Sequence, residues 1–317
     1  MSIAILAFSE KNYYELVSAA KLFKNIGIEN INAIVIGQNA EATAKNIAKT
    51  GIDKVYFYNQ QELDVFNPEL YARVLEDAIK QTNAKIALIE SGNKGKILAG
   101  YISALMGAAV IVDVTQIHIS NGTINIEKPV YAGKAMATEK INSEKIVIAV
   151  KPGAFEPVEL SQQECEILQR NIAVEDAKTK LVDFKPKEAG EVSLEDAEVV
   201  VAAGRGIKKK EDLGMIKELA NTLQGAWGLT RPLAADYGWA PEWIGISGIS
   251  IRPKLYIAVG ISGQPQHTAG IRDSKIIVAI NNDSEAPIFK FSDYGIIGDA
   301  YIILPELIKK LKELKGG

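Results

Sequence analysis

The feature that most constrains this chain is the alternation in its first third. A short apolar run, IAILAF at 3–8, is followed by YYELVSAAKLFKNIG, where Leu16, Ala20 and Phe23 recur at helical spacing. INAIVIG (31–37) has strand character and precedes a helical pattern over 40–50. KVYFY (54–58) precedes a helix over about 68–82, and KIALIE (85–90) precedes the helical GKILAGYISALMG (95–107). Strands this apolar need cover on both faces, and alternating helices supply it. The expected class is α/β, with a doubly wound parallel sheet.

From 117 to 150 the pattern changes. IHIS, TINIEKPVYAG, KAMATEK and KIVIAVKPG read as short strands separated by turn residues, an antiparallel excursion that completes a first domain. Residues 151–192 are polar and proline-bearing, and read as a linker holding one or two strands. A second α/β domain opens at EVVVAAG (198–204). It continues with a helix over about 209–223 (Leu213, Ile216, Ala220 and Leu223 on one face) and a strand at 225–230. Further strands are expected at LYIAVG (255–260), KIIVAIN (275–281) and APIFKF (286–291), with a short helix after the first of these. The closing helix carries Pro305 near its first turn and an apolar stripe of Leu304, Leu307, Ile308, Leu311 and Leu314. At 317 residues, two domains are expected, 1–190 and 191–317.

Composition excludes several classes. The net charge of −3 gives no basic footprint for nucleic acid. One cysteine, Cys165, rules out a disulfide framework and a cysteine-held cluster, and the two histidines, His118 and His267, lie too far apart in sequence to make a metal cluster by themselves. No metal is expected. MSIAILAFSE lacks a basic leader region, and the longest apolar runs fall well short of the roughly 20 residues a bilayer requires. The expected setting is the cytoplasm.

In open parallel sheets, ligands bind beyond the carboxyl ends of the strands. In the second domain those positions hold Gly204, Arg205 and Gly206, then Thr230 and Arg231, then Ser262, Gly263, Gln266 and His267. Asn281 and Asp283 end the next strand, and Asp293 and Asp299 follow the last. Glycines admit a phosphate to backbone N–H groups, and Asn281 falls about where a ribose contact sits in dinucleotide folds. The sketch is a dinucleotide lying across the strand ends. Each residue also has a plainer reading. GISGQPQ departs from G-x-G-x-x-G and could be only a tight turn, His267 could cap a helix or fill the core, and Trp239 and Trp243 fit a core. A nicotinamide-binding enzyme, with a transhydrogenase-like or deoxyhypusine-synthase-like domain, is the alternative. It lacks an evident catalytic base.

The second half closely resembles the alpha subunit of electron transfer flavoproteins. GRGI (204–207), LTRPLAADYG (229–238), PKLYIAVGISGQPQHTAGIRDSKIIVAINND (253–283) and EAPIFKFSDYGIIGDAY (285–301) carry that resemblance. KPVYAGKAMATEK and VIAVKPGAFEP extend it more loosely into the first half. The resemblance implies an electron carrier rather than an enzyme, with no catalytic residues, with FAD in a Rossmann-like second domain, and with a beta subunit docked on residues 1–190. Its redox partners would be flavin dehydrogenases and a quinone-linked or other acceptor. Arg205 and the turn Ser262, Gly263, Gln264, Pro265, Gln266 and His267 would contact the flavin nucleotide. Thr230 and Arg231 would lie beside the isoalloxazine. Ile244, Gly245, Ile246 and Ser247 match the stretch whose hydroxyl meets flavin N5. Asn281, Asp299 and Ala300 match adenosine-side contacts. Arg231, Ser247 and His267 would tune the potential, His267 as a donor to the O2 edge. The family's GQTGK stretch is here GISGI (245–249), which keeps a hydroxyl but loses an amide and a charge. With SGQPQH, this resembles the nitrogen-fixation and carnitine-pathway branch, some members of which take part in electron bifurcation.

Overall fold

The computed structural model describes residues 2–131, 133–161, 164–174, 177–179, 182, 194 and 197–315. They form two compact units, Met1–Phe184 and Lys185–Gly317. The expected boundary at 190/191 lies outside the described residues.

The first unit is built on a seven-stranded parallel sheet. Its strands are β1 (Ser2–Leu6), β2 (Asn30–Ile36), β3 (Lys54–Tyr58), β4 (Ala84–Glu90), β5 (Ala109–Val114), β9 (Ile146–Val150) and β10 (Glu166–Gln169), in the order β10-β3-β2-β1-β4-β9-β5. Successive side chains go to opposite faces. Ile3 and Ile5 enter one core, and Ala4 and Leu6 enter the other. Helices α1 (Glu10–Lys21), α2 (Ala40–Ile47), α3 (Pro68–Thr82) and α4 (Asn93–Met106) alternate with these strands. Local chemistry sets their ends. Asn67 caps α3 by accepting from Glu69 and Leu70 N–H, with Pro68 at the first position, and Asn83 closes it in the left-handed conformation.

The antiparallel excursion holds for three strands and fails for the fourth. β6 (Gln116–Ser120), β7 (Thr123–Val130) and β8 (Ala135–Ile141) form an antiparallel sheet. KIVIAV, expected as its continuation, is instead β9, parallel and central between β4 and β5. All five residues of β9 are buried, the pattern of an interior parallel strand. The segment taken as a linker contributes β10, which pairs with β3 at the edge of the first sheet.

The second unit carries a five-stranded parallel sheet in the order β12-β11-β13-β14-β15. These strands are β11 (Val199–Ala203), β12 (Ala226–Leu229), β13 (Leu255–Val259), β14 (Ile276–Asn281) and β15 (Tyr294–Ile297). Helices α5 (Leu213–Thr222), α6 (Pro265–Thr268) and α7 (Ala300–Lys315) complete it.

Three expectations are corrected here. APIFKF is not a strand: Pro287–Lys290 is a 3-10 turn, and the fifth strand lies beyond it. Pro287 has no N–H for a ladder, and the Ile288 N–H donates to Ser262 C=O at 3.0 Å. Pro305 lies inside α7 rather than near its start, because the helix begins at Ala300. Of the α7 stripe, Leu304 and Ile308 are buried and Leu307 and Leu311 pack against the core, but Leu314 is 79% exposed.

Candidate functional site

The order of the second sheet fixes where a ligand can lie. From β11 the chain goes first to β12 on one side, then to β13 on the other, so β11 and β13 flank the switch point. Beyond them, the turns Gly204–Gly206 and Gly260–Gly263 interlock. Gly204 N–H donates to Val259 C=O, and Gly206 N–H to Gly260 C=O, each at 2.9 Å. A Cβ on Gly206 would lie 2.5 Å from the Gly260 Cα, and one on Gly260 (φ +60°) 2.6 Å from the Gly206 Cα. Only glycine permits this approach at both places.

Two guanidiniums sit on this edge. Arg205 follows β11 and Arg231 follows β12, and both are exposed. Neither forms an ion pair with another described residue. The Arg231 Cζ lies 5.9 Å from the centroid of the Trp243 ring. Trp239 and Trp243 are half-buried and pack against the core, as their plainer reading expects. Thr230 is buried, and its N–H donates to Ala203 C=O at 3.0 Å.

The 244–249 loop lies beside these strand ends. Ile244 N–H donates to Leu229 C=O at 2.9 Å, and Ile246 N–H to Gln266 C=O at 2.8 Å. Ile244 and Gly245 are buried, while Ile246 and Ser247 are exposed. The Trp243 indole N–H donates to Ser247 Oγ at 3.3 Å, leaving the hydroxyl proton for another acceptor.

Other predicted residues take different positions. Ser262 is half-buried, Gly263 is buried with φ +82°, and Gln264, Pro265 and Gln266 are exposed on the turn and α6. Asn281 is buried: its Nδ2 donates to Ile261 C=O at 2.8 Å and its Oδ1 accepts from Asp283 N–H at 3.0 Å. It braces the Ile261 turn. Asp299 Oδ1 accepts from Tyr301 N–H at 2.9 Å and caps α7, whose first residue, Ala300, is buried. Asp293 does not share this edge. Its carboxylate accepts from Ile277 N–H at 2.8 Å, near the start of β14, so it lies at the amino end of the sheet.

His267 takes the position of its plainer reading, a core histidine. It is only 8% exposed, and its ring is occupied within the unit. Nδ1 lies 3.1 Å from Ile244 C=O and Nε2 lies 2.8 Å from Tyr256 Oη. Burial lowers its pKa to about 4, so the ring is neutral at pH 7. Because a carbonyl only accepts, Nδ1 carries the proton and Nε2 accepts from Tyr256. Sequence reasoning passed over Tyr256, the second residue of β13, which lies in an apolar run and has no exposed surface.

The first unit presents a different edge. Between β1 and β4, Phe8 N–H donates to the Glu90 carboxylate at 2.7 Å. A carboxylate at that switch point disfavours an anionic ligand, and the AFSEKN segment (7–12) after β1 holds no glycine to admit one. Among the described residues, no cluster of His, Cys, Asp or Glu could hold a metal, and no helix is long and apolar enough to cross a membrane.

Comparison with known proteins is decisive for the class. Residues 10–181 match the electron transfer flavoprotein domain, and residues 193–272 match the electron transfer flavoprotein FAD-binding domain. The chain belongs to the electron transfer flavoprotein alpha-subunit family. An alpha subunit from Thermoanaerobacterium thermosaccharolyticum is 34% identical over 95% of this chain and 92% of the relative. The Escherichia coli protein described as putative electron transfer flavoprotein subunit YdiR is 33% identical over 98% of each chain. FixB of Clostridium saccharobutylicum is 32% identical over 90% of this chain and 86% of the relative. Identities this even show the family, not a branch within it. As a member, the chain is a FAD-binding electron carrier, which sets aside the nicotinamide-enzyme alternative. The edge fits that cofactor. The Arg205 guanidinium, without an ion pair among the described residues, suits a pyrophosphate, and the glycine turns keep side chains from closing the switch point.

Proposed function

We propose that this flavoprotein subunit holds FAD across the carboxyl edge of the β12-β11-β13-β14-β15 sheet. In a heterodimer with a beta subunit, it carries electrons from flavin dehydrogenases to a quinone-linked or other acceptor. Residues 191–317 are the FAD-binding part, and residues 1–190 dock the beta subunit. The observation carrying this reading is the pair of exposed arginines, Arg205 and Arg231, on adjacent strand ends with no carboxylate neutralising them among the described residues. FAD supplies the redox chemistry, and the chain binds and tunes it. Arg205 and the Ser262–Gln266 turn hold the nucleotide. Thr230, Arg231 and the 244–247 stretch adjoin the ring, where Ser247 offers its O–H to an acceptor and Arg231 adds positive charge. Asn281, Asp299 and Ala300 shape the adenosine end.

The test is a visible spectrum of the chain co-expressed with its beta partner, followed by identification of the cofactor released on denaturation. FAD supports the reading. One per heterodimer indicates a simple carrier, and two indicate bifurcation with the second flavin held by the partner. A colourless protein that releases NAD overturns it.

Arg231→Ala should lower the flavin reduction potential, because a cation beside the ring favours its reduced, more negative state. At an exposed site this preference is about 1 kcal/mol. Spectroelectrochemical titration reads it, and an unchanged potential removes Arg231 from the ring's surroundings.

A further inference from the structure

We infer that Tyr301 is a positioning residue for the nucleotide: its hydroxyl ties the turn that carries Arg205 to the start of α7, where Asp299 and Ala300 lie. The inference rests on the function proposed above for those three residues.

The two sets of residues belong to elements that are not neighbours. Arg205 lies in the turn after β11, closed by Ile207 N–H donating to Gly204 C=O at 2.9 Å. The near side of that turn is fastened to the β13 turn through the N–H groups of Gly204 and Gly206. Asp299 and Ala300 follow β15, and two strands, β13 and β14, separate β15 from β11. A ligand that reaches both places needs their spacing fixed.

Tyr301 spans the gap. Its N–H donates to Asp299 Oδ1 at 2.9 Å. Its hydroxyl accepts from Lys208 N–H at 2.9 Å and donates to Asp212 Oδ2 at 2.6 Å. A backbone N–H can only donate, so the phenol proton goes to the carboxylate and a lone pair is left facing Lys208. Lys208 in turn reaches the arginine turn, with Nζ 3.5 Å from Arg205 C=O. A phenylalanine would keep the ring and leave Lys208 N–H and Asp212 to water. Water satisfies each group but does not hold the turn to the helix. The loss is one of spacing, and it falls on a ligand that engages both ends.

The test compares Tyr301→Phe and Arg205→Ala, singly and together, in the chain co-expressed with its beta partner, with FAD release followed by flavin fluorescence. Tyr301→Phe is expected to speed release about fivefold, the scale of one net hydrogen bond. A hydroxyl that serves only the fold would contribute that factor in any background. One that acts through the arginine turn contributes much less once Arg205→Ala has removed the guanidinium. Unchanged release from Tyr301→Phe overturns the inference, as does a full fivefold effect that persists on Arg205→Ala. Amide exchange in the wild-type protein needs no variant and decides alone if Tyr301→Phe does not fold. Lys208 N–H should be protected, and free exchange there overturns the linkage. Release unchanged by Arg205→Ala defeats the role proposed above for Arg205, while the Lys208 amide still tests the tie to Tyr301.

Discussion

Gly206→Ala is expected to lose FAD and destabilise the second unit by about 3 kcal/mol, the upper range for overpacking against a backbone that cannot yield. The added methyl would lie 2.5 Å from the Gly260 Cα, whereas carbons in contact sit at about 3.5–4.0 Å. Its neighbour is main chain, so no rotamer relieves the overlap. The two turns must separate by about an ångström, which breaks the Gly206 N–H···O=C Gly260 bond. That bond lies at the switch point between β11 and β13, so the loss falls on binding as well as on stability. A drop of this size corresponds to about a hundredfold in affinity. The control is Gly214→Ala on α5, where a Cβ meets nothing within 4 Å. It should raise stability by up to about 1 kcal/mol through helix propensity. Thermal unfolding with flavin fluorescence reads both variants, and a Gly206→Ala protein as stable as wild type would refute the close packing.

The second large effect concerns pH. His267 titrates near 4 in the folded chain and near 6.5 when unfolded, and burial is the first cause of the difference. The Ile244 hydrogen bond opposes it only in part, and no charged group contributes. Above about pH 6.5 the ring is neutral in both states, and its contribution to stability is fully present. As the pH falls, the unfolded chain takes up the proton first, so stability is lost between about 6.5 and about 4 and no further below that. The window is worth about 3 kcal/mol. Denaturant unfolding at pH 7, 5.5 and 4.5 should show this slope in wild type and a flatter one in His267→Gln. Equal slopes would mean the imidazole is not held neutral.

How legible these features were in the sequence depended on the kind of information each needed. Strand–helix alternation located most elements because apolar periodicity is local. KIVIAV shows the limit: its pattern identifies a buried strand but carries nothing about which neighbours it joins, and it enters the main sheet rather than the antiparallel one. APIFKF is apolar enough for a strand, yet Pro287 makes it a turn. The strand-end residues were legible as a set, because parallel topology puts them on one edge, and Asp293 fell outside it only because the last strand begins later than expected. The inward orientation of His267 was legible only as its plainer reading, a core histidine, and its partners were not. It follows from Tyr256 and the Ile244 carbonyl, residues that carry no motif of their own.

The order of the first sheet also bears on how the chain is made. Among the described residues β5 pairs only with β9, and β10 reaches back to β3. A nascent chain halted before Ile146 would carry β5 with no partner and the apolar β4 as a raw edge, open to pairing with whatever strand is nearest. The three-stranded excursion between Gln116 and Ile141 therefore sets an interval during synthesis. Throughout it the half-built sheet exposes apolar strand edges of the kind that aggregate.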